Sequence, residues 1–138
     1  MQKGLNLTHK VLTGFISLGV FAQMFLAGLW HAEVTATPEL HVFFGLGMLL
    51  ASLIALIAAL AGRMGRGVVV PTLVLFVLIL LQPILMEQRE NGIAFLSAFH
   101  TLNAAFIGMV SGMVAAHSSA PKPETAEKSA LLPVGSGD

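Results

Sequence analysis

The apolar run at residues 40–62, "LHVFFGLGMLLASLIALIAALAG", decides the fold, because it carries no charged side chain over its whole length. A helix needs about 20 predominantly apolar residues to cross the hydrocarbon core of a bilayer, and this run is long enough. Three further uncharged runs meet the same criterion, at residues 11–30, 68–86 and 92–116. The sequence therefore predicts an all-α polytopic membrane protein with four transmembrane helices.

The composition supports this fold class and excludes several functions. Hydrophobic residues make up 56% of the 138 residues and charged residues only 10%, which leaves more apolar surface than a soluble domain of this size can bury. The chain has no cysteine, which excludes disulfides, iron–sulfur clusters and thiolate catalysis. Its formal net charge is zero, so it lacks the basic surface that nucleic-acid binding requires.

Basic residues are distributed unequally between the two sides of the predicted spans. Arg89 alone falls in the second set of loops, whereas the other six occupy the termini and the loop between the second and third spans: Lys3, Lys10, Arg63, Arg66, Lys122 and Lys128. Because loops rich in lysine and arginine stay in the cytoplasm, both termini are predicted to be cytoplasmic. The predicted organisation is a cytoplasmic N-terminus at 1–10, a transmembrane domain at 11–117 and a disordered cytoplasmic tail at 118–138.

The connections between the predicted spans are short, so successive helices must be antiparallel neighbours. The sequence thus predicts an up-down-up-down four-helix transmembrane bundle. Thr37 is expected to cap the second helix, with Pro38 in its first turn. Pro83 is expected to kink or end the third span. No internal repeat is evident, although the second and fourth spans each have one histidine in their outer half.

Polar side chains within the spans are informative, because placing them in lipid is costly. Five of them fall in the outer half of their spans and so at a similar level of one leaflet: Gln23, His41, Gln82, His100 and Asn103. All four helices contribute to this set. Such a cluster indicates either a functional site or a layer of interhelical hydrogen bonds.

Small residues lie one helical turn from each histidine of this cluster. Gly45 follows His41 by four positions, and Ala104 and Gly108 follow His100 at the same spacing. Residues at this spacing share one helix face, where they allow either close packing of another helix or space for a flat ligand. The pattern is typical of a helix that packs closely, and it also suits a porphyrin.

A bis-histidine haem b is the specific hypothesis that combines these features. His41 and His100 would be the axial ligands of the iron, because haem takes imidazoles from facing bundle helices. Gln23 and Asn103 would orient an imidazole or a propionate. One observation opposes the pairing, since a count of about 1.5 Å per residue puts the two histidines about 10 Å apart in depth.

Two more histidines lie at the predicted inner face, where His9 opens the first span and His117 closes the fourth. They would form either a second haem site on the cytoplasmic side or an ordinary pair of interfacial side chains. Histidines close to basic residues at a membrane surface are much more often interfacial. The sequence does not decide between these two interpretations.

Three segments together resemble an uncharacterised family of small bacterial and archaeal membrane proteins with four spans: "AQMFLAGLWH" at 22–31, "HVFFGLGMLLASLIALIAALAGR" at 41–63 and "FHTLNAAFIGMVSGMVAAH" at 99–117. The resemblance covers residues 8 to 117. Its most specific elements are Gln23, His41 and the His-x-x-Asn-Ala motif that begins at His100. The family pattern has proline after this last histidine, where the chain has Thr101.

This resemblance implies an integral protein of the cytoplasmic membrane of a prokaryote and supplies no activity. The second and fourth spans are also similar, more weakly, to histidine-bearing helices of haem-containing quinol-linked and haem-synthase membrane bundles. That likeness implies a haem b ligated by His41 and His100.

Three classes of function remain open at the level of sequence. The first is a b-type cytochrome, or a haem-bearing subunit, that passes electrons within the membrane, to or from quinone or another subunit. The second is a non-catalytic accessory subunit of a larger respiratory or photosynthetic membrane complex. The third comprises chlorophyll-type magnesium ligation and transport, and transport is disfavoured because no pair of broken helices is evident. No carboxylate dyad or activated nucleophile lies near the membrane cluster, so the chain is not expected to be an enzyme on its own.

Overall fold

Four α-helices make up the part of the chain that the computed structural model describes, which is residues 1–119 without the side chains of residues 89, 90, 94, 97, 118 and 119. The helices are α1 (Gln2–His31), α2 (Glu39–Ala61), α3 (Arg66–Glu90) and α4 (Ala94–Ser119). Each is long and apolar enough to cross a membrane. The expectation of an all-α fold with four such helices is confirmed, and the proposed tail beyond Ser119 lies outside the described residues.

The helices form a bundle in which each one packs against two others. Contacts join α1 to α2, α2 to α3, α3 to α4 and α4 back to α1, so α2 and α4 lie diagonally opposite each other. The Gln2 side chain at the start of α1 donates to the carbonyl of Gly62 beyond the end of α2, with Nε2–O 2.9 Å. His100 near the start of α4 likewise lies with Nδ1 3.3 Å from the carbonyl oxygen of Gln82 in the second half of α3. Successive helices are therefore antiparallel.

Small side chains allow the helices to approach closely. The buried face of α2 consists mainly of Ala51, Ser52, Ala55, Ala58 and Ala59. Such residues permit close backbone packing, which supplies van der Waals contact where the surroundings are themselves apolar. Larger side chains from all four helices complete the hydrophobic core: Ile16, Val20, Met48, Leu75, Ile79 and Ile107.

Two expected helix boundaries differ from the sequence predictions. Thr37 does not cap α2, because Pro38 is the residue at the N-cap and no side chain bonds there. The first helical bond of α2 runs from the amide of Val42 to the carbonyl of Pro38, at 3.0 Å. Of the two alternatives predicted for Pro83, a kink or an end, the end is wrong, because α3 continues to Glu90 with both Pro71 and Pro83 inside it.

No internal repeat was identified from the sequence, and this conclusion was wrong. The hairpin of α1 and α2 is repeated by the hairpin of α3 and α4 at a constant offset of 59 positions. Helix α1 ends at His31 and α3 at Glu90. After α1, the amide of Val34 bonds the carbonyl of Leu29 at 2.9 Å, and after α3 that of Ile93 bonds Gln88 at the same distance. Glu33 and its counterpart Gly92 both have positive φ, 58° and 81°. The same left-handed turn thus closes the first helix of each hairpin.

The repeat extends into the core. Thr13 and Thr72 are both fully buried, and each donates its hydroxyl to the carbonyl four positions earlier. Ser52 and Ser111 are also fully buried, and each donates to the carbonyl three positions earlier. Their apolar neighbours correspond as well, as Ile16 with Leu75, Val20 with Ile79, and Met48 with Ile107. The bundle consists of two similar hairpins, one formed by α1 and α2 and the other by α3 and α4.

Candidate functional site: the histidine pair

His41 and His100 face each other although they belong to diagonally opposite helices. Their ring centres lie 6.1 Å apart, and the ring planes are inclined at 58°. Each is the counterpart of the other in the 59-residue repeat, and each lies near the start of its helix. The structure therefore brings together the two histidines that the sequence analysis singled out.

One backbone hydrogen bond fixes the orientation of each imidazole. Nδ1 of His41 lies 3.1 Å from the carbonyl oxygen of Gln23, and Nδ1 of His100 lies 3.3 Å from that of Gln82. A carbonyl oxygen can only accept, so each Nδ1 must carry the hydrogen and donate it. In a neutral imidazole this leaves the lone pair on Nε2. Metal-binding histidines are commonly held in this way, with the second ring nitrogen bonded to a carbonyl.

The lengths of the two outer loops explain why the histidines meet despite the counted difference in depth. The α1–α2 loop spans residues 32–38, whereas the α3–α4 loop spans only residues 91–93. Helix α2 begins at Glu39, whose counterpart in the repeat is Ala98. Because the α3–α4 loop is shorter, α4 begins earlier, at Ala94, which is one helical turn before Ala98. His100 is therefore further along its helix than His41 and yet lies at the same level of the bundle.

The glutamines that orient the rings also place their own amides in the bundle interior. The Oε1 atoms of Gln23 and Gln82 are both buried and lack a hydrogen-bond partner among the described residues. A Cβ added at Gly45 would lie 2.7 Å from Nε2 of Gln23, so this amide lies against the turn of α2 that follows His41. Gln82 was not assigned to the site from the sequence. The 59-residue offset from Gln23 was the signal that could have identified it.

Asn103, expected near the site, bonds the neighbouring helix instead. Its Nδ2 donates to the carbonyl of Leu78 at 2.7 Å, and the side chain is buried. This bond joins α4 to α3. In the structure, Asn103 thus has the packing role that was the alternative interpretation of the polar cluster.

Two of the three small residues near the histidines lie against a neighbouring helix. At Gly45 the space that a side chain would need holds the Gln23 amide. A Cβ added at Gly108 would lie 3.6 Å from Cγ1 of Val20, which is ordinary packing distance between α4 and α1. Ala104 is half-buried on α4, one turn after His100. Gly45 and Gly108 are therefore placed as packing residues around the pair.

The two inner histidines have different surroundings. His9 is only 2% exposed, and its Nε2 lies 2.9 Å from the hydroxyl oxygen of Thr72 on α3. Because the Thr72 hydroxyl donates to Val68, Nε2 of His9 is the donor in this contact. His117 is exposed and lines a shallow cleft between α3 and α4. The structure thus places one inner histidine in the core and the other at the surface.

The geometry of the outer pair suits a metal that binds one ligand on each of two faces. With metal–nitrogen distances of about 2 Å, two imidazoles on opposite sides of one metal have ring centres about 6 Å apart. The observed separation of 6.1 Å matches this value. The separation of the two oriented rings is therefore compatible with one metal held between them, and it also lies in the range of ordinary contacts between rings.

Comparisons with known proteins add no further assignment. No family model matches the chain, and neither the curated proteins nor the solved structures contain a match.

Proposed function

We propose that this protein is a small integral membrane haem b protein, or the haem-bearing subunit of a larger complex, which transfers electrons within the membrane. His41 and His100 would hold the haem iron through their Nε2 atoms. The observation that supports this most directly is the approach of the two rings to 6.1 Å, with both Nδ1–H groups engaged by backbone carbonyls. Interhelical hydrogen bonding alone does not require two imidazoles to face each other in this way.

The membrane location is part of the proposal. Large apolar side chains cover the outside of the bundle, including Phe21, Phe25, Leu46 and Leu50. The hydrocarbon core of a bilayer accommodates these apolar side chains, whereas their exposure to water is unfavourable. The basic bias of the loops supports cytoplasmic termini, which puts the histidine pair in the outer half of the cytoplasmic membrane of a prokaryote.

The chain contributes position and environment at this site. The Gln23 and Gln82 carbonyls hold each imidazole in one tautomer and one orientation, which keeps Nε2 available as a ligand. Core side chains such as Met48 and Ile107 lie deeper in the bundle and are almost fully buried, so the site adjoins an apolar interior. A bound haem would supply one-electron chemistry, with quinone or another membrane subunit as the electron partner.

An absorption spectrum of the purified protein, first oxidised and then reduced with dithionite, tests the proposal. The expected result is a Soret band with sharp α and β bands on reduction. His41→Ala and His100→Ala should each abolish haem binding or give a five-coordinate, high-spin spectrum, since one axial ligand is lost. His31→Ala is the matched control, because His31 is exposed at the end of α1 and should leave the spectrum unchanged.

Two results would contradict the proposal. The first is a wild-type protein that stays colourless when haem is abundant, which would favour a non-catalytic accessory subunit. The second is an unaltered low-spin spectrum in both His41→Ala and His100→Ala.

A further inference from the structure

Gln23 and Gln82 are counterparts in the repeat, and each has the same relation to a histidine. Both backbone carbonyls accept from the Nδ1–H of the histidine 18 positions later. Both side chains leave a buried Oε1 atom without a partner among the described residues. Since the two hairpins are related by this repeat, the unpartnered amide oxygens occur as a pair, just as the imidazoles do.

A buried amide without a partner is costly, so the pair calls for an explanation. An unsatisfied buried acceptor costs roughly 1–3 kcal/mol, and native structures contain few such groups. A single occurrence would be unremarkable in a bundle with several polar side chains. Two occurrences at corresponding positions, on the residues that orient the rings, support a ligand that donates a hydrogen bond to each Oε1 atom.

We propose that the Gln23 and Gln82 amides bind the two carboxyl groups of an iron porphyrin, one from each hairpin. This inference rests on the proposed function and assigns the polar contacts of the same site. A carboxylic acid is complementary to a primary amide, because its hydroxyl donates to Oε1 while its carbonyl accepts from the amide NH₂ group. In an apolar interior the carboxyl group is kept in its neutral form, which is the form that can donate.

The ligand matches the arrangement in number as well as in chemistry. Haem b carries two propionic acid side chains, and the site offers two amides. The two hairpins thus supply equal sets, each with one imidazole for the iron and one amide for a carboxyl group. Gly45 contributes to this arrangement, because its missing side chain leaves the space in which the Gln23 amide lies.

Titration of the full-length protein, purified from haem-deficient cells, with haem b and with haem b dimethyl ester tests this assignment. Esterification removes the hydroxyl donors and leaves the iron and the ring unchanged. The wild-type protein should bind the ester about 100-fold more weakly than haem b. Each of the two amide–carboxyl contacts that esterification removes should account for about tenfold of this difference. This comparison needs no variant and so cannot be confused with a folding defect.

Glutamine variants and the ester together form a double-perturbation cycle, in which the affinities of the wild-type and variant proteins for haem b and for its ester are compared. Gln23→Leu and Gln82→Leu should each weaken haem b binding about tenfold, and the double variant should bind haem b and its ester within about threefold of each other. Gln88→Leu is the matched control, because the Gln88 amide is exposed and bonds only the carbonyl of Ile84. It should retain the wild-type preference for haem b.

The outcomes distinguish this inference from the proposed function. If the wild-type protein binds the ester as tightly as haem b, with a low-spin spectrum, the amide assignment is overturned while the histidine assignment stands. The same conclusion follows if the double leucine variant keeps the wild-type preference for haem b. If neither ligand binds to the wild-type protein, both proposals are wrong.

Discussion

The rings of His41 and His100 approach to 6.1 Å across the diagonal of the bundle, where their helices do not pack against each other. The side chains, rather than the helix backbones, therefore bridge this distance. Each ring is oriented by the preceding helix of its own hairpin, through a carbonyl 18 positions earlier. Orientation is thus a property of each hairpin, whereas the separation of the rings is a property of the whole bundle.

We predict that both termini are cytoplasmic and that the α1–α2 loop lies on the opposite side. The physical reason is that six of the seven basic residues occupy one set of loops and termini. Reporter fusions after Lys122 and within residues 33–39 should report opposite sides of the membrane. A fusion after Arg63 is the internal control and should agree with the fusion after Lys122. The same side for both of the first two fusions would contradict the arrangement of four spans.

We predict that Thr72→Val destabilises the bundle more than Thr13→Val does. Both threonines are fully buried counterparts and both donate within their own helix. Only Thr72 also accepts a hydrogen bond from another helix, at 2.9 Å from Nε2 of His9. Thr72→Val should lower the free energy of unfolding by about 1 kcal/mol beyond the effect of Thr13→Val, as measured by denaturation in detergent. Equal losses in the two variants would show that the His9 contact contributes nothing measurable.

We predict that Gly45→Ala displaces the Gln23 amide without unfolding α2. The new Cβ would lie 2.7 Å from Nε2 of Gln23, which is the mobile end of a flexible side chain. Alanine also favours a helix by about 1 kcal/mol over glycine, so overall stability should not fall. The side-chain amide resonance of Gln23 should shift in the NMR spectrum of Gly45→Ala. Gly47→Ala is the control, because a Cβ there meets no atom within 4 Å, and an equal shift in this variant would refute the contact.

Much of the fold was predictable because it depends on apolar length and charge, which are properties of single segments. The run at 40–62 is sufficient to predict α2, and the depth of Asn103 within an apolar run indicated a buried polar contact. The hydrogen-bond partner of Asn103 was not predictable in the same way. Asn103 bonds Leu78 rather than the site, because the helix rotation that decides this depends on packing against α3. The depth of His100 depended on how far α4 extends before it, which a three-residue loop determines.

The repeat was missed for a related physical reason. Most corresponding positions hold different apolar residues, such as Ile16 with Leu75 or Met48 with Ile107, which pack equivalently without being identical. The identical pairs are few, and the four polar ones among them stand out when the hydrogen bonds are compared. Gln23 with Gln82 and Ser52 with Ser111 would have been sufficient to give the offset of 59.

The bonds between glutamine and histidine within each hairpin have a consequence for the order of assembly. Each bond spans only 18 positions, so it can form as soon as one hairpin has emerged during synthesis, before the other hairpin exists. The first imidazole would then already be oriented while α3 and α4 are still being made. Docking of the second hairpin would complete the pair in a single step, with both rings preset. Under the proposed function, haem capture would therefore follow the last helix–helix association and would mark the completion of assembly.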